Sequence, residues 1–575
     1  MSANRPPFET DPAVSTSLLW PPGVREIDNP VIRPEDAAYR DLGLAHLVYA
    51  FTSDSQQQRD IARILGTLLQ DPQVIRYRQD VLADLLHSPG LVERLEALFP
   101  KIDALGRYAH RRSESNSLRE VTWRLGELQS LVDSVQGLHE ALQADVSSQA
   151  LRSLRAQTDA MQADPVFQNL VRELPGMLER LRSSASITIG VNLDEYLRPV
   201  EATLLAVNRE KFTSPTLLER LLGKKAAGQA GLAPLHSVPR RSPGGVPGIQ
   251  GSAESRWAVE PLMVPLFADL AKVIEKTTAP VVKELRRYSN LHSKMFITLG
   301  KELSFYLGAV RLVRKLQEMG IPVCRPELAP VKERLCKVTQ SCNVNLALRL
   351  GSQQSDSINR IVLNDIHIGP AGRILILTGP NQGGKTTYLQ GVGLVQVLAQ
   401  AGLYVPGESA RISPVDRILT HFPLEENPAA GSGRFGEETQ RLSELFAQVT
   451  ASSLVLLNET FSSTSAGESI YLAQDVVRIL RRLGARALYA THLHELAAQA
   501  EALNPSTPGD SLVISLVASP IDELNPDGHR HSFRVVARPP LGRSFARELA
   551  ARYGVSYEQL EQMLKSRGLL PPDGS

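Results

Sequence analysis

Cysteine is scarce in this sequence: Cys324, Cys336 and Cys342 are the three among 575 residues, and none shares C-x-x-C spacing. An odd, unspaced set argues against a disulfide framework and predicts reduced, buried thiols in a cytosolic protein. Long apolar runs are missing as well. No stretch of 18 apolar residues occurs, and Met1-Ser2-Ala3-Asn4-Arg5-Pro6-Pro7 lacks the apolar core of a secretory signal. Neither secretion nor a membrane span is therefore expected, and the expected location is cytoplasmic. An excess of one charge is also absent. With 63 Lys and Arg against 61 Asp and Glu, the net charge is +2, so any nucleic-acid contact must come from local patches. A chain of this length, 42% hydrophobic and 22% charged, predicts a soluble protein of two to four domains.

One stretch is rich in information. Leu375-Ile376-Leu377-Thr378 reads as a buried strand, and it breaks into Gly379-Pro380-Asn381-Gln382-Gly383-Gly384-Lys385-Thr386-Thr387 before Tyr388-Leu389 opens a helical pattern. That is the spacing G-x-x-x-x-G-K-[ST] in its strand-to-helix context, a P-loop nucleotide site. Glycines let backbone N–H groups approach phosphate oxygens, and the helix start adds positive partial charge. Lys385 is assigned to the terminal phosphates and the Thr386 hydroxyl to Mg²⁺.

Taken in order, the chain begins with residues 1–35, rich in proline and expected to be irregular. Helical patterns follow from Asp41 to about Gly106, punctuated at Asp71-Pro72, Ser88-Pro89 and Phe99-Pro100. Leu118, Leu125 and Val132 recur every seven residues, with Val121, Leu128, Val135 and Leu142 interleaved. Such a stripe fits a packed bundle or a long lever arm, and periodicity alone does not separate them. Helices are expected over Pro165–Ser183, Val207–Leu222 and Trp257–Gln317. Between them, Gly223 to Gly251 holds seven glycines, four prolines and no acidic residue, and reads as a loop. Eight Lys and Arg against three Glu between 205 and 257 make it locally basic, either as a solvated linker or as a phosphate contact. From about Gly320 the character changes: strands are expected at Val344–Leu348 and Ile361–Leu363, and strands then alternate with helices to about Val555. The expected fold class is α + α/β, with a long helical core and lever domain over 36–324, a Gly/Pro-rich insert at about 223–252, and a P-loop ATPase domain over 325–575.

Leu454-Val455-Leu456-Leu457-Asn458-Glu459 is a strand ending in two polar residues. In P-loop ATPases such a strand presents a carboxylate to the Mg²⁺ shell and then a glutamate that polarises water. Glu459 suits the second role; Asn458 supplies a neutral amide in the first. His492, after the strand pattern Leu488-Tyr489-Ala490-Thr491, is the candidate γ-phosphate sensor.

The series resembles the MutS ATPases, relatives of the ABC class. The resemblance rests on Thr378 to Leu389, Gly402-Leu403-Tyr404-Val405-Pro406, Asp416 to Thr420, Ser453 to Glu459, Thr464-Ser465, Ala490 to Leu496 and Leu541 to Ala546, in that order. It implies a homodimer that sandwiches ATP and Mg²⁺ and embraces DNA in repair or recombination. The segment 431–438 would face the partner's nucleotide, and the reduced front implies that mismatches are not read. Three positions depart from the family pattern: Gly433 at the signature serine, Ile361 where an aromatic meets adenine, and Asn458. They leave open a nucleotide-switched scaffold with little hydrolysis, and a binder of structured RNA or ribosomes is a further alternative.

Charge reversal at Lys224, Lys225, Arg240 and Arg241 is expected to weaken duplex DNA binding and to flatten its dependence on salt, because fewer counterions are released. Equilibrium titrations between low and moderate salt check this.

Overall fold

The structure is a computed structural model. It describes residues 16–24, 29–110, 117–182, 186–196, 199–208, 281, 283–288, 294–351, 361–423, 433–518, 532–540, 554–567 and 569. Two compact units are each assembled from separate stretches of chain. One draws on Glu93–Ala144 and Ser153–Gly300; the other draws on Ser17–Val92, Asp145–Arg152 and Lys301–Ser575.

Two of the early helices begin at an aspartate cap. After α1 (Ala37–Asp41) and α2 (Leu44–Phe51), the Asp54 carboxylate accepts from Gln56 and Gln57 N–H to start α3 (Ser55–Gly66). Asp71 accepts from Gln73 N–H, with Pro72 as the first residue of α4 (Pro72–His87). α5 (Pro89–His110) runs straight through Phe99-Pro100, where a break was expected. Leu95, Leu98, Ile102 and Leu105 form one buried stripe across that proline, so packing outweighs the lost hydrogen bond. In α6 (Ser117–Ala141) the interleaved rows Leu125, Leu128, Val132 and Val135 are buried, with Leu142 just beyond, so the stripe belongs to a packed bundle. Leu118 and Val121 lie outside the residues whose side chains are described. α7 (Gln149–Ala163) and α8 (Pro165–Arg182) follow, the latter as expected.

A hairpin follows, and its last two residues, Val207 and Asn208, are strand where a helix was expected to begin. β1 (Ser186–Leu193) pairs antiparallel with β2 (Pro199–Asn208), which contains Val207; the rest of that expected helix and the whole insert lie outside the described residues. Ile187, Ile189, Val191 and Leu193 alternate strictly, which is the period of a strand.

The 25-residue α9 (Lys294–Glu318) is the buried axis of its neighbourhood, with Phe296, Leu303, Tyr306, Val310 and Val313 all inside. Its Glu302 carboxylate accepts from Leu18 N–H at 2.7 Å and Ser17 Oγ at 2.5 Å. Burial pushes this carboxyl up to about 7. Residues 17–19 are thus irregular, as expected, yet pinned to the core.

Beyond α9 come three sheets. β3 (Val323–Cys324) pairs with β8 (Val405–Pro406). β4 (Glu327–Leu328), β9 (Ser409–Ile412), β5 (Cys336–Ser341) and β6 (Asn364–Ile368) form a four-stranded sheet in that order. The largest sheet has the order β10-β11-β12-β7-β13-β14. It consists of β10 (Ile418–His421), β11 (Leu454–Asn458), β12 (Arg486–Ala490), β7 (Ile374–Thr378), β13 (Val513–Ala518) and β14 (Val535–Ala537). All neighbours are parallel except the β13–β14 pair. β7, β11 and β12 are buried at every residue, which explains why they read as continuous runs rather than as alternation.

Val344–Leu348, expected as a strand, opens the helix α10 (Val344–Gly351). Asn343 Oδ1 accepts from Leu346 N–H as a cap, and Val344 and Ala347 face inward at helical spacing. Ile361–Leu363 lies just before β6 instead of forming a strand. Against the large sheet lie α11 (Lys385–Gln400), α12 (Gly433–Phe446) and α13 (Ala466–Leu483); among the described residues, α14 (His494–Ala498), α15 (Ala500–Ser506) and α16 (Tyr557–Ser566) follow. Burial pushes the Cys336 and Cys342 thiols up to about 12 and Cys324 to about 11, and all three are free. Among the described residues, no helix is long and apolar enough to cross a membrane.

α11 approaches the sheet through a glycine. A Cβ on Gly393 would meet Leu42 Cδ2 at 2.4 Å and Leu456 Cδ1 at 3.0 Å. Gly393→Val is expected to cost about 1–3 kcal/mol, the usual range for overpacking. Urea unfolding with the midpoint displaced and an unchanged slope checks this.

Candidate functional site

The parallel strands end together. Asn458 pairs in register with Ala490, which pairs with Leu377. Beyond the strand ends, Glu459 N–H donates to Ala490 O at 2.8 Å and Thr491 N–H to Leu377 O at 3.0 Å. Polar residues that follow β7, β11 and β12 therefore gather at one edge.

The loop from β7 into α11 has glycine where backbone crowding demands it. Gly379 has φ +148° and its missing Cβ would sit 2.5 Å from Ala518 O; Gly384, before the first residue of α11, has φ +90°. Gln382 also takes a left-handed φ of +63°, and it is exposed together with Asn381. Lys385 is buried, and its Nζ donates to Gly379 O at 3.0 Å and Pro380 O at 3.1 Å. Burial lowers its pKa, an effect that the Glu459 carboxylate opposes. Thr386 Oγ1 donates to Asn458 Oδ1 at 3.2 Å, which joins the first turn of α11 to the end of β11. Thr387 O accepts from Asn343 Nδ2 at 3.0 Å.

Glu459 has φ +52°, sparsely populated for a residue with a Cβ, and its Oε1 lies 2.8 Å from His492 Nε2. That hydrogen bond is the largest influence holding its pKa below the ordinary 4.5; burial opposes it, and the charges of His492 and Lys385 add to the lowering. The carboxylate is thus ionised at neutral pH and able to accept a proton. His494, by contrast, is pushed down by burial and by the neighbouring His492 and Lys385.

A cavity of about 430 Å³ opens over this edge, lined by Pro380 to Tyr388, Glu459, Asn364, Ile361 and Phe533 among others. Gly379, Thr378, Asn458 and His492 do not line it; Asn458 and His492 touch residues that do. The expected site residues are thereby brought together, as lining or as immediate support. Of the segment 431–438, only Gly433 onward is described: it starts α12, with Phe435 exposed and Glu438 buried. The segment 541–546 lies outside the described residues. Sequence reading overlooked Asn343, Asn364 and Phe533. The cap pattern around Asn343 was a usable signal. Phe533 enters from a segment about 150 residues beyond the loop, and nothing local marks it.

No group of three or more His, Cys, Asp or Glu suited to a metal occurs among the described residues. The adjacent Thr386 hydroxyl and Asn458 carbonyl are hard oxygen donors, a fit for Mg²⁺ held mainly by phosphate and water.

Parallel strands ending in a glycine loop, a buried lysine, a hydroxyl–amide pair and a carboxylate–imidazole pair define an α/β domain with its polar chemistry at one sheet edge. Residues 375–510 match the family model for MutS domain V, and residues 70–319 match that for the MutS2 N-terminal domain. Together with the similar proteins below, these two matches support a MutS-family protein. The chain is similar to the DNA mismatch repair protein MutS of Chlorobium phaeovibrioides, 37% identical over 35% of this chain and 22% of the relative. Longer matches are to the proteins of that name from Synechococcus sp., 27% identical over 83% of this chain and 54% of the relative, and Chlorobaculum parvum, 28% identical over 76% and 50%. The chain spans about half the length of these two relatives.

Because the His492 contact depresses Glu459, His492→Ala is expected to raise the Glu459 pKa towards 4.5. The stability that its ionisation contributes is present above 4.5 and is lost as pH falls through the depressed value, so a variant whose value returns towards 4.5 has less of it to lose. NMR titration of ¹³C-labelled glutamate carboxyls checks the direction.

Proposed function

We propose that this chain binds and hydrolyses ATP with Mg²⁺ and that nucleotide gates a homodimer that embraces DNA in repair or recombination. The observation that carries the reading is the convergence of Lys385, the Thr386–Asn458 pair and the Glu459–His492 pair around one cavity. Backbone N–H groups at the start of α11 face the phosphates, where the helix terminus favours anions. Lys385 turns from the carbonyls of Gly379 and Pro380 to the terminal phosphates. Thr386 and Asn458 would hold Mg²⁺, which neutralises charge on the phosphate oxygens when bound. Glu459 accepts the proton of the attacking water, and His492 fixes the carboxylate by its hydrogen bond. The α/β domain over 325–575 is the ATPase of this proposal, and the helical region over 36–324 supplies the arms.

One feature favours a second reading. Asn458 puts a neutral amide where a carboxylate would strengthen the metal site, which suits a scaffold that binds ATP and hardly turns it over.

Glu459→Gln is expected to lose about 10²–10⁴-fold in hydrolysis, the range for a positioned base, while ATP still binds. Lys385→Ala should lose ATP binding in a titration. Wild-type turnover no higher than that of Glu459→Gln would replace the enzyme by the scaffold, and ATP binding of normal affinity by Lys385→Ala would remove the assigned role of the loop.

A further inference from the structure

The turn after β11 is strained at two places. Glu459 and Phe461, neither of them glycine, have φ of +52° and +67° on either side of Thr460. A left-handed conformation at residues with a Cβ persists only where surrounding contacts over-determine it. The neighbours supply those contacts. Glu459 N–H donates to Ala490 O at 2.8 Å, and Tyr489 Oη donates to Thr460 O at 3.0 Å. Ser469 Oγ donates to Phe461 O at 2.7 Å, while the Phe461 ring is buried in the core between sheet and helices.

From the opposite side, α12 presents one buried carboxylate. Glu438 Oε1 accepts from Phe461 N–H at 2.6 Å, and Glu438 Oε2 accepts from Ser463 Oγ. The backbone of the same residue is also engaged: His421 Nε2 lies 3.2 Å from Glu438 O, and His421 Nδ1 lies 3.0 Å from Thr460 Oγ1. A carbonyl only accepts, so His421 carries its proton on Nε2 and receives the Thr460 hydroxyl at Nδ1. Burial, helped by Arg441, lowers the His421 pKa and keeps the ring in that neutral form. α12 and the turn are therefore fastened through Thr460, Phe461 and Ser463, immediately after the residue that carries the reactive carboxylate.

We propose that Glu438 is a positioning residue for Glu459: by fixing the Phe461 amide and the Ser463 hydroxyl, it holds the strained turn that aims the Glu459 carboxylate at the cavity. This rests on the hydrolytic reading of Glu459. The Glu438 carboxylate engages Phe461 and Ser463 rather than the loop of residues 379–387 or His492. Its loss should thus impair turnover and leave nucleotide binding to Lys385 and α11 intact. Glutamine is the informative conservative change. Its amide oxygen can still accept from Phe461 N–H, and its NH₂ can donate to Ser463 Oγ, which accepts equally well. Alanine removes both contacts.

The test compares full-length wild type, Glu438→Ala, Glu438→Gln, Ser463→Ala and Glu459→Gln. For each, steady-state ATP turnover is measured with nucleotide affinity and hydrogen exchange of a peptide spanning 459–463 in nucleotide-free protein. Glu438→Ala is expected to lower kcat about 10- to 100-fold, with affinity within about threefold of wild type and faster exchange of the Phe461 amide; the size is that of a misplaced catalytic group. Glu438→Gln is expected to recover both kcat and protection to within a few-fold, and Ser463→Ala to fall between them. Turnover of Glu438→Ala within twofold of wild type, or Glu438→Gln as impaired as Glu438→Ala, overturns the proposal. So does equal loss of affinity and kcat in Glu438→Ala. If Glu438→Ala does not fold, Ser463→Ala decides alone: unchanged kcat and unchanged exchange at 459–463 reject the proposal. Should Glu459→Gln turn over as fast as wild type, the hydrolytic reading fails first, and the exchange data still report whether Glu438 holds the turn.

Discussion

In-register parallel pairing of β7, β12 and β11 is the constraint from which the site follows. Parallel strands all point the same way, so the residues after each strand meet at one edge. Two backbone hydrogen bonds continue the ladder past the strand ends, Glu459 to Ala490 and Thr491 to Leu377. They align the start of the turn after β11 with the start of the turn after β12. The Glu459–His492 contact is a consequence of that alignment, since the two side chains are separated by 33 residues in sequence. A slip of one residue would turn each side chain to the other face and separate them.

Supports for this edge arrive from distant parts of the same unit. Leu42 packs where Gly393 lets α11 come close, and Gln390 Nε2 donates to Asp41 O at 2.8 Å. At the far end of α11, Arg78 donates to Ala401 O and Leu19 O and stacks on Trp20, with its carbon 4.7 Å from the ring centre. The middle and the far end of the helix that begins with Lys385 are therefore fixed to front segments of the chain. This is why Ser17–Val92 and Lys301–Ser575 make one compact unit, although more than 200 residues separate them.

Much of the site was legible because its chemistry is local. The run from Ile374 to Thr387 contains its own strand, turn glycines, lysine and hydroxyl, and Asn458, Glu459 and His492 stand at or just beyond strand ends. What stayed hidden depends on tertiary placement. Val344–Leu348 has apolar residues that suit either a strand or a helix, and only the cap at Asn343 decides between them. The hairpin of β1 and β2 was overlooked even though its alternation was present, because it sits between helical patterns. Phe99-Pro100 looked like a stop signal, yet the buried stripe on both sides of the proline carries α5 through. Glu438 drew notice only as part of a pattern, since nothing in sequence links it to a turn 23 residues later.

The thiols have a practical meaning of their own. With Cys336 and Cys342 pushed to about 12, the nucleophilic thiolate is a minute fraction at neutral pH in the folded molecule. Cys336 is also fully buried, so alkylating reagents find it mainly when the surrounding sheet and helix part. Cys342 lies on the wall of the cavity, and Cys336 is the first residue of β5. Cys336 is thus a built-in clock, whose labelling rate counts how often the sheet around it breathes open, while labelling of Cys342 reports entry through the cavity.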